Sequence, residues 1–161
     1  IAGEAEHAEV KALCGYAGGK ALVVKNSGEA GKLPKYAKIG VVAQSTLVFS
    51  DFRDVVSELT CKAAEVRAYN TVCNSARKMQ ESALKLAGNV DVMVVVGGKN
   101  SANTRHLKEL CEKRGVSTYH IEHFKELRKS WFANEKKVGI SGGASTPDFA
   151  IAEVVKWIGR L

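Results

Sequence analysis

The feature that most constrains this chain is the run Val92-Met93-Val94-Val95-Val96, five consecutive apolar residues rich in β-branched side chains. A strand apolar on both faces must be covered on both faces, as central strands of parallel sheets are. Its flanks agree. The segments Ala21–Val24, Lys38–Val42, Val90–Val96, Thr118–Ile121 and Lys137–Ser141 read as strands, and amphipathic patterns separate most of them. In Asp51–Glu65 the apolar residues Phe52, Val55, Val56 and Leu59 fall on one helical face, with Ser50 and Asp51 available as caps. Ser75–Ala87 and Ala102–Arg114 are two further helices closed by Gly88 and Gly115, and Pro147 opens a fourth that reaches Trp157. Strands alternating with helices predict an α/β fold of parallel strands with helical crossovers.

An internal echo refines this. Lys38-Ile39-Gly40-Val41-Val42-Ala43-Gln44-Ser45-Thr46 and Lys137-Val138-Gly139-Ile140-Ser141-Gly142-Gly143-Ala144-Ser145-Thr146 both read strand, small-residue turn, Ser-Thr, helix, with one inserted residue between them. Two similar small α/β units are expected, residues 1–69 and 70–161, the first shorter at its front. That shortness, with Ile rather than Met at position 1, leads us to expect that the natural N-terminus lies upstream; the alternative explanation of the Ile is a cleaved leader.

Ligands of open α/β sheets sit beyond the C-terminal ends of the strands. Four polar turns are expected there: Glu6-His7-Ala8-Glu9, Gln44-Ser45-Thr46, the stretch Gly97 to Thr104, and the stretch Gly142 to Thr146. The last two lead into helix N-termini, where free N–H groups and the positive end of the dipole attract anions. Ser101, Asn103 and Ser145 add neutral donors; the plain alternative is that such residues only cap the helices. His7 and Glu9 have the chemistry of a proton donor and relay, or are an exposed polar loop. Neither glycine-rich turn matches a P-loop or a dinucleotide-binding fingerprint.

The bulk numbers narrow the partners. Of 161 residues, 45% are apolar and 25% charged, a globular balance. No apolar run approaches the roughly 18 residues of a membrane span, and no secretory signal is visible. A net charge of +7 favours anionic partners, but the Lys and Arg residues are scattered and aromatic residues are only 7%. That points to a small phosphorylated ligand rather than nucleic acid. Of the four cysteines none forms a CxxC pair, so a disulfide framework is not expected. Cys14, Cys61 and Cys111 read as buried structural thiols. Cys73, just before a helix, is either one more of these or a thiol of lowered pKa able to bind metal.

Together these residues resemble one family. Thr71-Val72-Cys73-Asn74-Ser75-Ala76-Arg77-Lys78-Met79-Gln80 is similar to its TxCxATxxRQ-like cysteine motif. Val95 to Thr104 resembles its VVGGKNSSNT signature, and Gly142 to Asp148 its AGASTPD signature. His7-Ala8-Glu9-Val10 is similar to its GHPEV turn, and Ala43 to Thr46 to its TQTT turn. The motifs follow the order of the LytB/IspH family, the 4-hydroxy-3-methylbut-2-enyl diphosphate reductases, over almost the whole chain.

The resemblance implies the reductive dehydroxylation of that allylic diphosphate to isopentenyl and dimethylallyl diphosphates. It implies three similar α/β domains in a pseudo-threefold arrangement around an iron–sulfur cluster (4Fe-4S, or 3Fe-4S when degraded), fed by ferredoxin or flavodoxin. By the same resemblance Cys73 is a cluster ligand. Ser101, Asn103, Ser145 and His7 bind the diphosphate, Glu9 delivers the proton, and Ser45 stands where a Thr holds the leaving hydroxyl or the acid. The bacterial cytoplasm or a plastid-type stroma is the expected location, a monomer is the default state, and the scattered charge and lack of a membrane span leave no nucleic-acid or membrane partner expected.

The chain departs from the pattern in several places. Ala8 replaces Pro, Lys11-Ala12 stands for Glu-Gly, and Ala102 replaces a Ser whose lost hydroxyl is worth about 1–3 kcal/mol if a phosphate oxygen stays unpaired. By the resemblance, the family's first domain, with one cysteine and two diphosphate-binding histidines, has no counterpart here, and the family's second cysteine lies just before the region where this chain begins. The chain alone is therefore expected to hold no stable cluster and not to turn over. The alternative is a diverged module that binds a phosphorylated ligand without redox chemistry.

Overall fold

A computed structural model describes residues 1–133 and 137–161. It contains parallel strands joined by helices, as expected, in two compact units, Ile1–Cys73 and Asn74–Leu161.

In the first unit the order is α1 (Ala8–Tyr16), α2 (Ser27–Gly31), β1 (Tyr36–Val42), α3 (Phe49–Thr60) and β2 (Ala63–Tyr69). β1 and β2 pair in parallel, Val42 opposite Tyr69. The expected strand Ala21–Val24 is reduced to one bridge. Val24 pairs with Ala2, and Ala2 also pairs with Ala43, so Ala2 is a one-residue strand between them. Leu59, Val55 and Phe52 of α3 pack with Val41, Leu47 and Val72 into one core.

The helix expected over Asp51–Glu65 is shifted. It begins at Phe49 behind Val48, which supplies no side-chain cap, and it stops at Thr60. Ser50 and Asp51 lie inside its first turn, where Asp51 still complements the dipole. The residues beyond form β2, where Glu65, Val66, Arg67 and Ala68 alternate polar and apolar and only Val66 of them packs on the core. Early termination also overturns one expectation about the thiols: Cys61 is the C-cap and is exposed. Cys14 is half-buried, Cys73 is exposed and Cys111 is buried.

The second unit runs α4 (Asn74–Ala87), β3 (Val92–Val96), α5 (Ala102–Lys113), β4 (Ser117–Ile121), two short 3-10 turns (Phe124–Glu126 and Lys129–Phe132), β5 (Val138–Gly142) and α6 (Asp148–Ile158). The sheet order is β4-β3-β5, all parallel. β3 is buried throughout, and alternation explains it. Val92, Val94 and Val96 face a core with Ile121, Phe132 and Val154. Met93 and Val95 face a different one with Ala83 and Ala87 of α4 and Leu107 and Cys111 of α5. Each such valine stabilises the fold by about 1.5–3 kcal/mol. Gly115, at φ 86°, ends α5 in the left-handed conformation that glycine permits. Among the described residues no helix is long and apolar enough to cross a membrane.

Two outcomes follow from this packing. A Cβ at Gly139 of β5 would run into the Met93 sulfur and sit within 3.1 Å of Leu86 and Val90. Gly139→Ala is expected to destabilise the chain by about 1–3 kcal/mol through overpacking, read from denaturant midpoints. Alkylation followed by mass mapping should label Cys61 and Cys73 first and Cys111 last, because burial both shields Cys111 and pushes its pKa up.

Candidate functional site

The sequence candidates divide between the two units, four in the first and three in the second. In the first unit Ser45 is the centre. Its backbone N–H donates to both carboxylate oxygens of Glu9, at 3.0 and 3.1 Å, and its hydroxyl donates to Oε2 at 2.7 Å. Its carbonyl accepts the Cys73 N–H at 2.7 Å. Glu9, Ser45 and Cys73 are thus brought together through one residue. Thr71 makes this possible by acting as a strand partner: its hydroxyl donates to the Ala43 carbonyl and accepts from the Ala43 N–H. Gln44, fully buried, fixes the turn from the other side. Its Oε1 accepts from the Glu4 N–H at 2.9 Å and its Nε2 donates to the Thr46 hydroxyl at 2.8 Å.

His7 is not in a free loop. It caps α1, and its Nδ1 accepts the Glu9 N–H at 3.3 Å. An Nδ1 used as acceptor leaves the proton of the neutral ring on Nε2, so the outer nitrogen is a donor.

In the second unit the turns after β3 and β5 close on each other through two glycines and two threonines. Gly97 has φ 147°, and a Cβ there would lie 2.7 Å from the Thr146 hydroxyl and 3.0 Å from that of Thr104. A Cβ on Gly143 would strike the Thr104 hydroxyl as well. The Val96 carbonyl accepts both the Gly143 N–H, at 3.1 Å, and the Thr146 hydroxyl, at 2.8 Å. Above this knot lies the N-terminus of α5. Ser101 is its cap and accepts the Thr104 N–H. Ser145 is exposed in the turn before α6.

Asn103 behaves differently from a cap. It is 6% exposed, and neither its Nδ2 nor its Oδ1 has a hydrogen-bond partner. Leaving such groups unpaired costs about 1–3 kcal/mol each. A buried amide beside the free N–H groups of a helix N-terminus has the chemistry to meet a polar ligand. The cation of this turn is already engaged: Lys99 Nζ donates to Glu126 at 2.6 Å, and that bond holds its pKa above the usual lysine value. Sequence reasoning gave Thr104, Thr146, Gln44 and Thr71 no role, although all four lie inside or beside the quoted motifs. Glu122 and Glu126 carried no sequence signal.

Ligation of a metal by this chain alone has little to draw on. Among the described residues no group of three His, Cys, Asp or Glu side chains is placed to hold an ion. The cleft lined by Ile1, Leu22, Val24, Leu33 and Leu59 runs along the body of β1 and contains none of the candidate residues.

Comparison with known proteins gives a consistent result. The model of the family described as LytB protein matches residues 1–159. The 4-hydroxy-3-methylbut-2-enyl diphosphate reductase of Geotalea uraniireducens is 45% identical over 161 residues, covering 100% of this chain and 57% of the relative. That of an Anaeromyxobacter species is 46% identical, covering 100% and 56%. A solved structure described as (E)-4-hydroxy-3-methyl-but-2-enyl diphosphate reductase, the terminal enzyme of the non-mevalonate pathway, aligns with TM-score 0.55 at 42% identity over 99% of this chain and 58% of its own. The Plasmodium falciparum E-1-hydroxy-2-methyl-but-2-enyl-4-diphosphate reductase shares the fold, with TM-score 0.89 at 23% identity over 96% and 50%. The chain spans between half and three-fifths of the length of these relatives. With its motif turns at the strand ends and a family match over nearly its whole length, the chain belongs to the LytB family.

Proposed function

We propose that this chain is the diphosphate-holding and proton-delivering part of a 4-hydroxy-3-methylbut-2-enyl diphosphate reductase. The observation that carries the reading is the buried, unpartnered Asn103 amide at the N-terminus of α5. Asn103, Ser101 and the α5 N–H groups are the donors for one end of the diphosphate, with Ser145 from the neighbouring turn. Neutral dipoles fixed before the ligand arrives stabilise an anion without reorganisation. In the first unit, His7 offers an Nε2–H donor of its own.

Glu9 is the acid. When it is protonated, the Ser45 hydroxyl in contact with it offers a short path for the proton to a departing hydroxyl, which leaves as water. The two electrons of the reduction come from an external donor of the ferredoxin or flavodoxin type. The exposed Cys73 thiol is a soft ligand suited to an iron–sulfur cluster. One thiol does not complete such a site, so the residues of this chain do not by themselves fit the cluster. We place the protein in the cytoplasm or a plastid stroma, as a monomer.

Two measurements test this. Asn103→Leu removes the unpaired amide at similar volume. It is expected to leave the melting temperature unchanged or raised, because apolar replacement of an unsatisfied group is near neutral or stabilising, and to weaken inorganic pyrophosphate binding by about tenfold. Unchanged pyrophosphate affinity would refute the anion site. Anaerobic treatment of the 161-residue chain with iron and sulfide should leave no stable cluster, whereas about four irons per chain would mean that its own thiols suffice.

A further inference from the structure

The turn from Gly97 to Ser101 is held from outside by two carboxylates. The Lys99 backbone N–H donates to Glu122 Oε1 at 2.7 Å. Glu126 Oε1 in turn accepts the backbone N–H groups of Glu122, at 2.8 Å, and His123, at 3.0 Å, while its Oε2 takes the Lys99 ammonium. His120 Nε2 donates to the Gly97 carbonyl at 2.9 Å. Two acidic side chains beside a turn meant for an anion are electrostatically costly unless another role requires them. Here both are consumed in charge-assisted bonds to backbone N–H groups, and Lys99 offsets one of the two charges.

The connection is directional. The 3-10 turn Phe124–Glu126 supplies Glu126; Glu126 fixes the backbone at Glu122; Glu122 fixes Lys99; Lys99 leads two residues later into the Ser101 cap of α5. Glycines at 97 and 98 give this turn no side-chain anchors of their own. We infer that Glu122 is a positioning residue: its carboxylate holds the Lys99 main chain so that the α5 N-terminus and the Asn103 amide present a fixed anion site. The inference rests on the anion-site reading above.

Three variants of the 161-residue chain separate the two. Pyrophosphate is titrated by NMR into wild type, Glu122→Ala, Glu122→Gln and Asn103→Leu, and amide exchange is read at Lys99. Glu122→Ala is expected to speed Lys99 exchange and weaken pyrophosphate by about tenfold, the size of one charge-assisted hydrogen bond, with the melting temperature kept. Glu122→Gln keeps an acceptor oxygen and should rescue both readouts to within about twofold. If Glu122→Ala binds like wild type while Asn103→Leu has lost binding, the positioning role is wrong and the anion site stands. Equal loss in Glu122→Ala and Glu122→Gln also overturns it. If wild type ignores pyrophosphate, or Asn103→Leu binds it unchanged, the anion site falls and the positioning role with it.

Discussion

Parallel alignment of strand ends is the constraint on which the rest depends. Val96 lies opposite both Ile121 and Gly142, so three chain segments leave the second sheet at the same edge. The turns that follow carry Ser101 and Asn103, Glu122, and Ser145. Parallel strands need a return path for each crossover, and that path is a helix. A helix entered from this edge begins there too, with its N–H groups pointing at the same space. The first unit repeats the arrangement, with Val42 opposite Tyr69 and the Ser45 turn directly beyond. Within each unit no residue had to be chosen for catalysis to bring the turns to one edge; sheet topology did it.

The chain carries a net charge of +7, yet the lysine of the Gly97 turn is tied to Glu126. On the proposed reading, recognition there would fall to an amide, a hydroxyl and backbone dipoles. The fold keeps the Asn103 amide and the Thr104 hydroxyl buried without partners. Local rules of polar satisfaction are broken where a ligand is expected and kept elsewhere in the turn.

Much of this was legible in the residues, for physical reasons. The Val92–Val96 run could only be a strand covered on both faces, and its odd and even positions do face different cores. β2 was hidden because the Phe52-Val55-Val56-Leu59 stripe has no proline or glycine to stop it. The alternation from Ala64 to Ala68 that marks the strand is short and weakly buried. α1 was missed since only Val10 of its residues is buried, which leaves almost no amphipathic signal. Ser101 and Asn103 look alike as helix-start residues. One caps and the other does not, a difference of burial and direction that spacing does not encode. Glu122 and Glu126 meet Lys99 across a sheet edge from another strand end, and no local pattern announces such a contact.

The fully apolar β3 also has a consequence for how the chain is made. Both of its partners follow it in sequence, β4 after one helix and β5 only after two further turns. During synthesis Val92 to Val96 leave the ribosome well before β5 exists, so one flank of the strand waits unpaired. Non-local parallel pairing is slow because loop closure must precede the contacts that reward it. The segment that organises the finished unit is therefore the one most exposed to wrong partners while the chain is being born.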